Sequence, residues 1–460
     1  MFGQGAGWRR SAAQGPYTRL EMLLTGTQRI NERGHLEIGG CDTVELAREF
    51  GTPVYVFDEV CIRDRCRAYR AAFEARYPQV QIEYAGKAFL CLAMARLIQE
   101  EGLHLDVASA GELYTALRAG FPPERLVFHG NNKAEQELRL ALDAGVGRIV
   151  IDNLQEIAML AALVATRPRP QEVLIRVAPG VDPHTHRRIR TGQADTKFGL
   201  NIASGAALAG VREVLRSFGL LFTGLHFHVG SNLPDASAHL DALDAVLDFA
   251  VQVRAETGLA IEELNVGGGL AIRYLPEDRP ASIDEFAEAV TAGLHEGLAR
   301  RHLPLPRLFV EPGRSIVGEA GTTLYTVGAI KDVPIPEPPG TRRYVAIDGG
   351  MADNPRPQLY DAWYTAIVAN KASLPAEREV RVAGKHCETD ILIPSVAIQE
   401  PEPGDLLAVP STGAYTYSMA SNYNRLPRPA AVFVRDGKAR LIIRRETLDD
   451  LLRQDVPPDL

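Results

Sequence analysis

Ile149-Val150-Ile151-Asp152, the amphipathic stretch 154–164, and Val173-Leu174-Ile175-Arg176-Val177 read in order as strand, helix and strand. Both apolar runs are short and rich in β-branched residues, and the stretch between them repeats its apolar positions at helical spacing. A strand, a crossover helix and a second strand make two parallel neighbours in a covered sheet. The unit recurs. Short apolar runs also occupy 82–85, 103–107, 126–128, 222–227, 264–266 and 308–310, with amphipathic segments at 91–101, 134–144, 236–253 and 283–300. Eight strands over roughly 230 residues have the number and size of a (β/α)8 barrel. The count disfavours a doubly wound open sheet.

Each run ends in chemically capable residues: Lys87, Asp106 with Ser109, His129, Asp152, Arg176, His228 with Ser231, Gly267-Gly268-Gly269, and Glu311 with Arg314. Singly, each has a bland explanation, such as a solvated lysine or a structural histidine. In a barrel these strand ends converge on one face, where active sites lie. Their convergence points to an enzyme.

Outside the barrel the texture changes. Runs at 322–330, 342–347, 379–382, 406–409, 430–434 and 439–444 are short, β-rich and separated by Gly, Pro and Asp, as in an antiparallel β-sandwich or β-barrel domain. Segments 35–38 and 53–57 are expected to add strands to it, and 334–340 to form a Pro-rich loop within it. The expected organisation is a loose leader over 1–30 (Met22 being an alternative start), N-terminal strands over 31–58, the barrel over 59–315, and the β domain over 316–460.

The chain has 460 residues, 46% hydrophobic and 23% charged, which are globular proportions. Fifty Lys+Arg against 58 Asp+Glu give a net charge of −8, so nucleic acid and anionic membranes are not expected partners. No apolar run approaches the ~18 residues of a membrane span. No apolar stretch comes after Arg9 and Arg10, as a signal peptide would require. Five cysteines, Cys41, Cys61, Cys66, Cys91 and Cys387, fit a reducing compartment better than a disulfide scaffold. A cytoplasmic protein is expected.

Four motifs carry chemistry. Glu83-Tyr84-Ala85-Gly86-Lys87-Ala88 sets a lysine at the barrel mouth, where a desolvated amine can form a Schiff base with a carbonyl cofactor. Gly267-Gly268-Gly269 lets backbone N–H groups approach an oxyanion, most naturally a phosphate; a flexible turn is the plainer reading. His226-Phe227-His228-Val229-Gly230-Ser231 has two histidines on one strand face. A metal is one reading, but His228 stacking on a flat ring with Ser231 on a phosphate fits better, and no metal is expected. Glu311-Pro312-Gly313-Arg314 pairs a carboxylate, suited to keeping an aromatic nitrogen protonated, with a guanidinium that binds phosphate or carboxylate.

Together Tyr84-Ala85-Gly86-Lys87-Ala88, His228-Val229-Gly230-Ser231, Gly267-Gly268-Gly269 and Glu311-Pro312-Gly313-Arg314 resemble the alanine-racemase-fold pyridoxal-phosphate decarboxylases. That group includes ornithine, arginine and diaminopimelate decarboxylases. Asp348-Gly349-Gly350-Met351, the segment from Asn354 to Tyr360, Gly384-Lys385-His386-Cys387-Glu388-Thr389 and Gly413-Ala414-Tyr415 are similar to the diaminopimelate branch in particular. The resemblance spans about residues 30 to 455. One departure is that Cys387-Glu388-Thr389-Asp390 is a residue shorter than the commoner Cys-Glu-Ser-Gly-Asp.

The resemblance implies a carboxy-lyase using pyridoxal 5'-phosphate, with Lys87 as its Schiff-base residue. It implies Glu311 at the ring nitrogen and His228 on the ring face. Asp106, Ser231, Gly267, Gly268, Gly269, Gly313, Arg314 and Tyr415 complete the cofactor set. Arg314, Arg356, Tyr360 and Tyr415 would meet the substrate and Glu388 its far ammonium. Cys387 would be a proton donor supplied across a homodimer, giving L-lysine from meso-diaminopimelate as the last step of lysine biosynthesis. The alternatives are a relative acting on carboxynorspermidine, arginine or ornithine, and a non-enzymatic pyridoxal-phosphate-binding homologue.

Overall fold

The computed structural model describes residues 24–180, 196–337 and 339–457. Eight parallel strands, Val80–Ala85, His104–Val107, Leu126–Phe128, Arg148–Ile151, Gln171–Ala178, Leu220–His226, Glu263–Asn265 and Arg307–Val310, pair in chain order. The last returns to the first, Leu308 beside Val80 and Val310 beside Ile82, which closes the barrel. Every strand expected from the apolar runs is present. The helices include Leu92–Glu100, Glu135–Ala144, Leu154–Val164, Ser237–Thr257 and Ile283–Arg301, together with Glu59–Glu74, Ala110–Arg118 and Ala206–Arg216, which the apolar patterning does not mark.

The second sheet runs in the order Ile391–Ile398, Arg378–Ala383, Gly340–Ile347, Gly321–Ile335, Val54–Asp58, Ala430–Arg435, Lys438–Ile443. It is mixed rather than wholly antiparallel. Gly340–Ile347 lies parallel to Arg378–Ala383, and Val54–Asp58 parallel to Ala430–Arg435. Ile391–Ile398, unmarked in the sequence, carries Pro394 in mid-run; the strand is at the sheet edge, where proline is tolerated.

Val54–Asp58 is central because neither of its faces can meet water. Tyr55 and Phe57 pack toward the barrel, with Phe57 stacked on Phe89 at 4.2 Å, whereas Val54 and Val56 pack with Leu36, Ile38 and Leu324. The expected strand at 35–38 is Leu36–Ile38, but it belongs to a separate three-stranded sheet with Arg29–Ile30 and Cys41–Asp42. Of the expected leader, residues 1–23, including Met22, lie outside the described residues. Thr27, in contrast, is anchored by its N–H and hydroxyl to Asp58 Oδ2, at 2.7 and 2.8 Å. Among the described residues no helix is long and apolar enough to cross a membrane.

Two features fix the barrel ends. At the N-terminal end, Arg148 donates to both carboxylate oxygens of buried Glu263 (2.7 and 2.5 Å), and Arg307 adds a third bond at 3.1 Å. At the C-terminal end the β domain reaches in through residues 411–418. A Cβ on Gly413 would lie 1.8 Å from Val317 O, so the chain can pass only as glycine. Two residues on, Tyr415 N–H bonds Ala88 O at 2.9 Å, beside Lys87.

Removing Glu263 leaves the largely buried Arg148 with only the partly exposed Glu172, 3.2 Å from its Nη2, as counter-ion. Glu263→Ala should cost about 3 kcal/mol or more in urea unfolding, with the eight-stranded fold retained by circular dichroism at low temperature.

Candidate active site

Where the strands end at the C-terminal mouth, polar side chains replace the apolar core. Asn265 is wholly buried and donates from one amide nitrogen to Glu311 Oε1 (2.8 Å) and to Glu83 Oε2 (2.9 Å). Its oxygen accepts Gly267 N–H at 2.8 Å, tying the glycine run to the same centre. His226 Nε2 and His129 Nε2 each lie 3.2 Å from Glu311 Oε1, and their rings meet edge to face at 4.9 Å.

Burial lowers the pKa of both histidines, so a neutral His226 donates its Nε2–H to Glu311. Burial alone would raise Glu311, but His226, His129 and Lys87 outweigh it and hold the carboxyl well below its ordinary range. Glu83 is pushed far upward by burial and by the charges of Glu311 and Asp106. Glu311 is thus the anion of the floor, steadied by one amide and one imidazole. The metal reading of His226 with His228 is not supported: His226 engages Glu311, while His228 Nδ1 accepts Gly268 N–H at 3.3 Å.

Around this floor stand the other expected residues. Lys87 lies in the 3-10 turn Gly86–Ala88 after the first barrel strand and is open to the mouth. Burial of its amine would lower its pKa, yet Asp106, Tyr415 and Glu311 together raise it. Asp106 is buried, raised by burial and by Glu311 against the pull of Lys87. Arg176 sits with its Nε 3.8 Å from Asp152 Oδ2. Ser109 has a plain structural role, capping helix Ala110–Arg118 by accepting Glu112 N–H.

The glycine run is dictated by close approach. A Cβ on Gly268 would sit 1.9 Å from Glu311 O, and one on Gly269 2.4 Å from Gly230 O. The expectation of three donors free for an oxyanion is corrected, since Gly267 N–H bonds Asn265 and Gly268 N–H bonds His228. Ser231 Oγ accepts from Arg314 Nη2 at 2.8 Å, and the Arg314 guanidinium lies 4.8 Å from the Tyr415 ring. Gly313 packs its α-carbon so closely on Ala85 and Ala88 that a Cβ would lie 3.0 Å from the Ala85 methyl.

Beside the mouth lies a second cavity of about 270 Å³, lined by Arg314, Arg356, Tyr360, Tyr274, Asn232 and Trp363 among others. Arg356 is 4% exposed and donates from Nη1 to Tyr274 and Tyr364 hydroxyls at 2.8 and 2.6 Å. Asp278 and Asp361 also line the cavity, but neither Arg314 nor Arg356 makes an ion pair with a carboxylate among the described residues, and the Nε of each is buried without a partner. Two guanidiniums on one cavity wall, neither of them ion-paired, form an anion subsite.

Cys387 and Glu388 do not line that cavity; both are exposed on the β domain. Cys387 N–H bonds Asn424 Oδ1 at 2.9 Å, and Tyr423 OH donates to Glu388 Oε1 at 2.9 Å. The shortened Cys387–Asp390 turn is closed by the buried His386–Asp390 pair and by Asp390 N–H on Glu388 O, which make it a compact loop. Sequence reasoning missed Glu83, Asn265, Tyr274, Tyr364 and Tyr423. For Glu83 and Asn265 a signal exists: each is a polar residue inside an apolar barrel run.

A primary amine, an anionic carboxylate, a half-buried imidazole and a hydroxyl–guanidinium pair on one barrel mouth suit a phosphorylated, aldehyde-bearing aromatic cofactor. The unpartnered Arg314 Nε adds a donor awaiting an anion. In agreement, residues 60–318 match the family described as pyridoxal-dependent decarboxylase, pyridoxal binding domain. The diaminopimelate decarboxylase of Bacillus subtilis (strain 168) is 47% identical over 437 residues, covering 95% of this chain and 98% of that one. That of Mycobacterium tuberculosis (strain H37Rv) is 45% identical over 432 residues, covering 93% and 96%. The crystal structure of diaminopimelate decarboxylase from M. jannaschii in co-complex with L-lysine superposes with a TM-score of 0.86 at 34% identity, covering 94% of this chain and 98% of that chain. The chain belongs to the diaminopimelate decarboxylase family, carboxy-lyases that use pyridoxal phosphate.

The buried histidines set a pH limit. His239, bonded through Nε2 to Gly268 O, and His104 are each lowered by burial to about 4. Between that value and about 6.5 the unfolded chain binds protons that the folded one refuses. Their stabilisation is complete above about pH 6.5 and is lost as the pH falls toward 4. Lowering the pH from 7 to 5 should therefore cost wild type about 2 kcal/mol more urea-unfolding stability than it costs His239→Leu.

Proposed function

We propose that this chain decarboxylates meso-2,6-diaminopimelate to L-lysine and CO2, the last step of lysine biosynthesis, in the cytoplasm and as a homodimer. The observation that carries the reading is the anion subsite of Arg314 and Arg356, two guanidiniums next to the cofactor mouth that make no ion pair among the described residues. A substrate with a second carboxylate neutralises it. Ornithine or arginine, lacking one, would leave both charges desolvated.

We read the roles from position. Lys87 would hold the cofactor through its amine. When bound, pyridoxal phosphate supplies the electron sink that accepts the pair left behind as CO2 departs. Glu311, kept anionic and oriented by Asn265 and His226, holds a proton on the ring nitrogen. His228 would lie against the cofactor ring, and Ser231, Gly269, Gly313, Arg314 and Tyr415 would hold its phosphate. Arg314, Arg356 and Tyr360 receive the distal carboxylate.

Cys387 and Glu388 act from the partner chain: their exposure on a single chain supports a surface that a second copy covers. There the Cys387 thiol delivers the proton that replaces CO2 on the α-carbon, and Glu388 meets the distal ammonium. Tyr423, whose hydroxyl donates to Glu388 Oε1, would orient it for that contact.

Purified protein with pyridoxal phosphate should release CO2 and L-lysine from meso-diaminopimelate, and comparable turnover of ornithine would refute the assignment. Borohydride trapping should label Lys87 and no other lysine. Arg356→Ala should lower kcat/KM by about 2–5 kcal/mol. Lys87→Ala and Cys387→Ala should each be nearly inactive, and mixed dimers should regain about a quarter of wild-type activity, since random assortment gives half heterodimers with one intact site of two. No recovery, with heterodimers present, would assign both residues to one chain.

A further inference from the structure

Tyr274 stands five residues beyond the glycine run, in a loop pinned by Asp278 Oδ2, which accepts the N–H groups of Tyr274 and Leu275 at 2.9 Å each. Its hydroxyl oxygen accepts two hydrogen bonds, from Arg314 Nη1 at 2.5 Å and from Arg356 Nη1 at 2.8 Å. The ring packs on the Arg356 guanidinium at 4.8 Å and meets Tyr364 edge-on at 5.4 Å. This side chain is 9% exposed and lines the cavity that both arginines face.

Counting donors and acceptors gives the hydroxyl a function. A phenol oxygen has two lone pairs and one proton. Both lone pairs are engaged by guanidinium N–H groups, neither of which can accept in return. The proton therefore has to be donated elsewhere, and among the described residues no hydrogen bond from the Tyr274 hydroxyl is made. The cavity wall is where it can go. An anion there would meet three donor groups at once: the two guanidiniums and a hydroxyl polarised by both of them.

The oxygen also holds the arginines in place. Two buried like charges repel, and a shared acceptor between them offsets part of that repulsion while fixing their spacing. Tyr364 gives Arg356 a second acceptor but is bonded to Arg356 alone. Among the described residues Tyr274 alone hydrogen-bonds both.

We propose that Tyr274 determines specificity for the second carboxylate: its oxygen bridges Arg314 and Arg356, and its proton is donated to the carboxylate that they bind. This rests on the reading that the subsite receives the distal carboxylate of the substrate. Tyr274→Phe keeps the ring and removes both the bridge and the donor.

The test compares two ligands on the pyridoxal-phosphate holoenzyme. L-Lysine retains the distal carboxylate, whereas 1,5-diaminopentane has the same two amines and no carboxylate. Tyr274→Phe should weaken inhibition by L-lysine about 10- to 100-fold, the range of a hydrogen bond to a charged group, and leave inhibition by 1,5-diaminopentane within about twofold. KM for meso-diaminopimelate should rise by a similar factor with kcat little changed, as for binding lost equally in ground and transition states. Cofactor absorbance and affinity should match wild type.

Equal weakening for both ligands would make Tyr274 a general support of the fold and overturn the proposal. So would unchanged or tighter lysine binding, the result expected if the oxygen were a phenolate that neutralises one arginine. A wild-type enzyme that binds both ligands equally would refute the subsite reading itself, and the Tyr274 proposal with it. A discriminating wild type with an unchanged variant would refute only the proposal.

Discussion

The amide nitrogen of Asn265 lies between two buried carboxyl groups, and the rest of the mouth is arranged around that contact. A carboxylate in a dry barrel interior is expensive unless donors face it. Asn265 supplies one to Glu311 and its second hydrogen to Glu83, and its carbonyl holds Gly267. The glycine run then packs against the backbone of Glu311 and Gly230, leaving no room for side chains. His239 fastens the run from behind through Gly268 O. One polar residue at a strand end thus fixes an anion, a second acid and a loop.

The barrel was legible because its period is local. Each apolar run and each amphipathic helix shows within a dozen residues, and the count of eight settles closure without knowledge of any side-chain contact. The second domain was less legible, since its strand partners are distant. Nothing near Leu36 says that it pairs with Arg29–Ile30 instead of entering the main sheet, and Pro394 obscures an edge strand. The same distinction holds at the site. Lys87, Glu311, Arg314 and the glycines announce themselves by type at strand ends. Tyr274 is an ordinary tyrosine in a loop until Arg314 and Arg356, 40 and 82 positions away, are brought to its hydroxyl. Cys387 and Glu388 carry a recognisable motif, yet a single chain leaves them facing solvent.

The β domain shares the apolar packing of Tyr55, Phe57 and Phe433 with the barrel, and at the mouth the two domains meet through specific backbone contacts. Gly413 passes against the Val317 carbonyl, and Tyr415 adopts a left-handed conformation at φ 59° while bonding Ala88 O. A non-glycine residue held there costs about 1–3 kcal/mol, and the surrounding loop must over-determine it. Its neighbours are Lys87 on one side and Arg314 under its ring, so the strain is located where cofactor and substrate would touch.

The place of Val54–Asp58 has a consequence for biosynthesis. This strand leaves the ribosome early, but its two neighbours are Gly321–Ile335 and Ala430–Arg435. At about 5–20 residues per second it waits roughly 20–70 s for the second of them. Until Gly321–Ile335 is made, a largely apolar strand has two open edges, and from then until Ala430–Arg435 it still has one, available to any passing chain. The barrel between them can close on its own local contacts long before. The last segment to be translated is therefore the one that retires the oldest hazard, and a nascent chain stalled anywhere before residue 430 is sticky by construction.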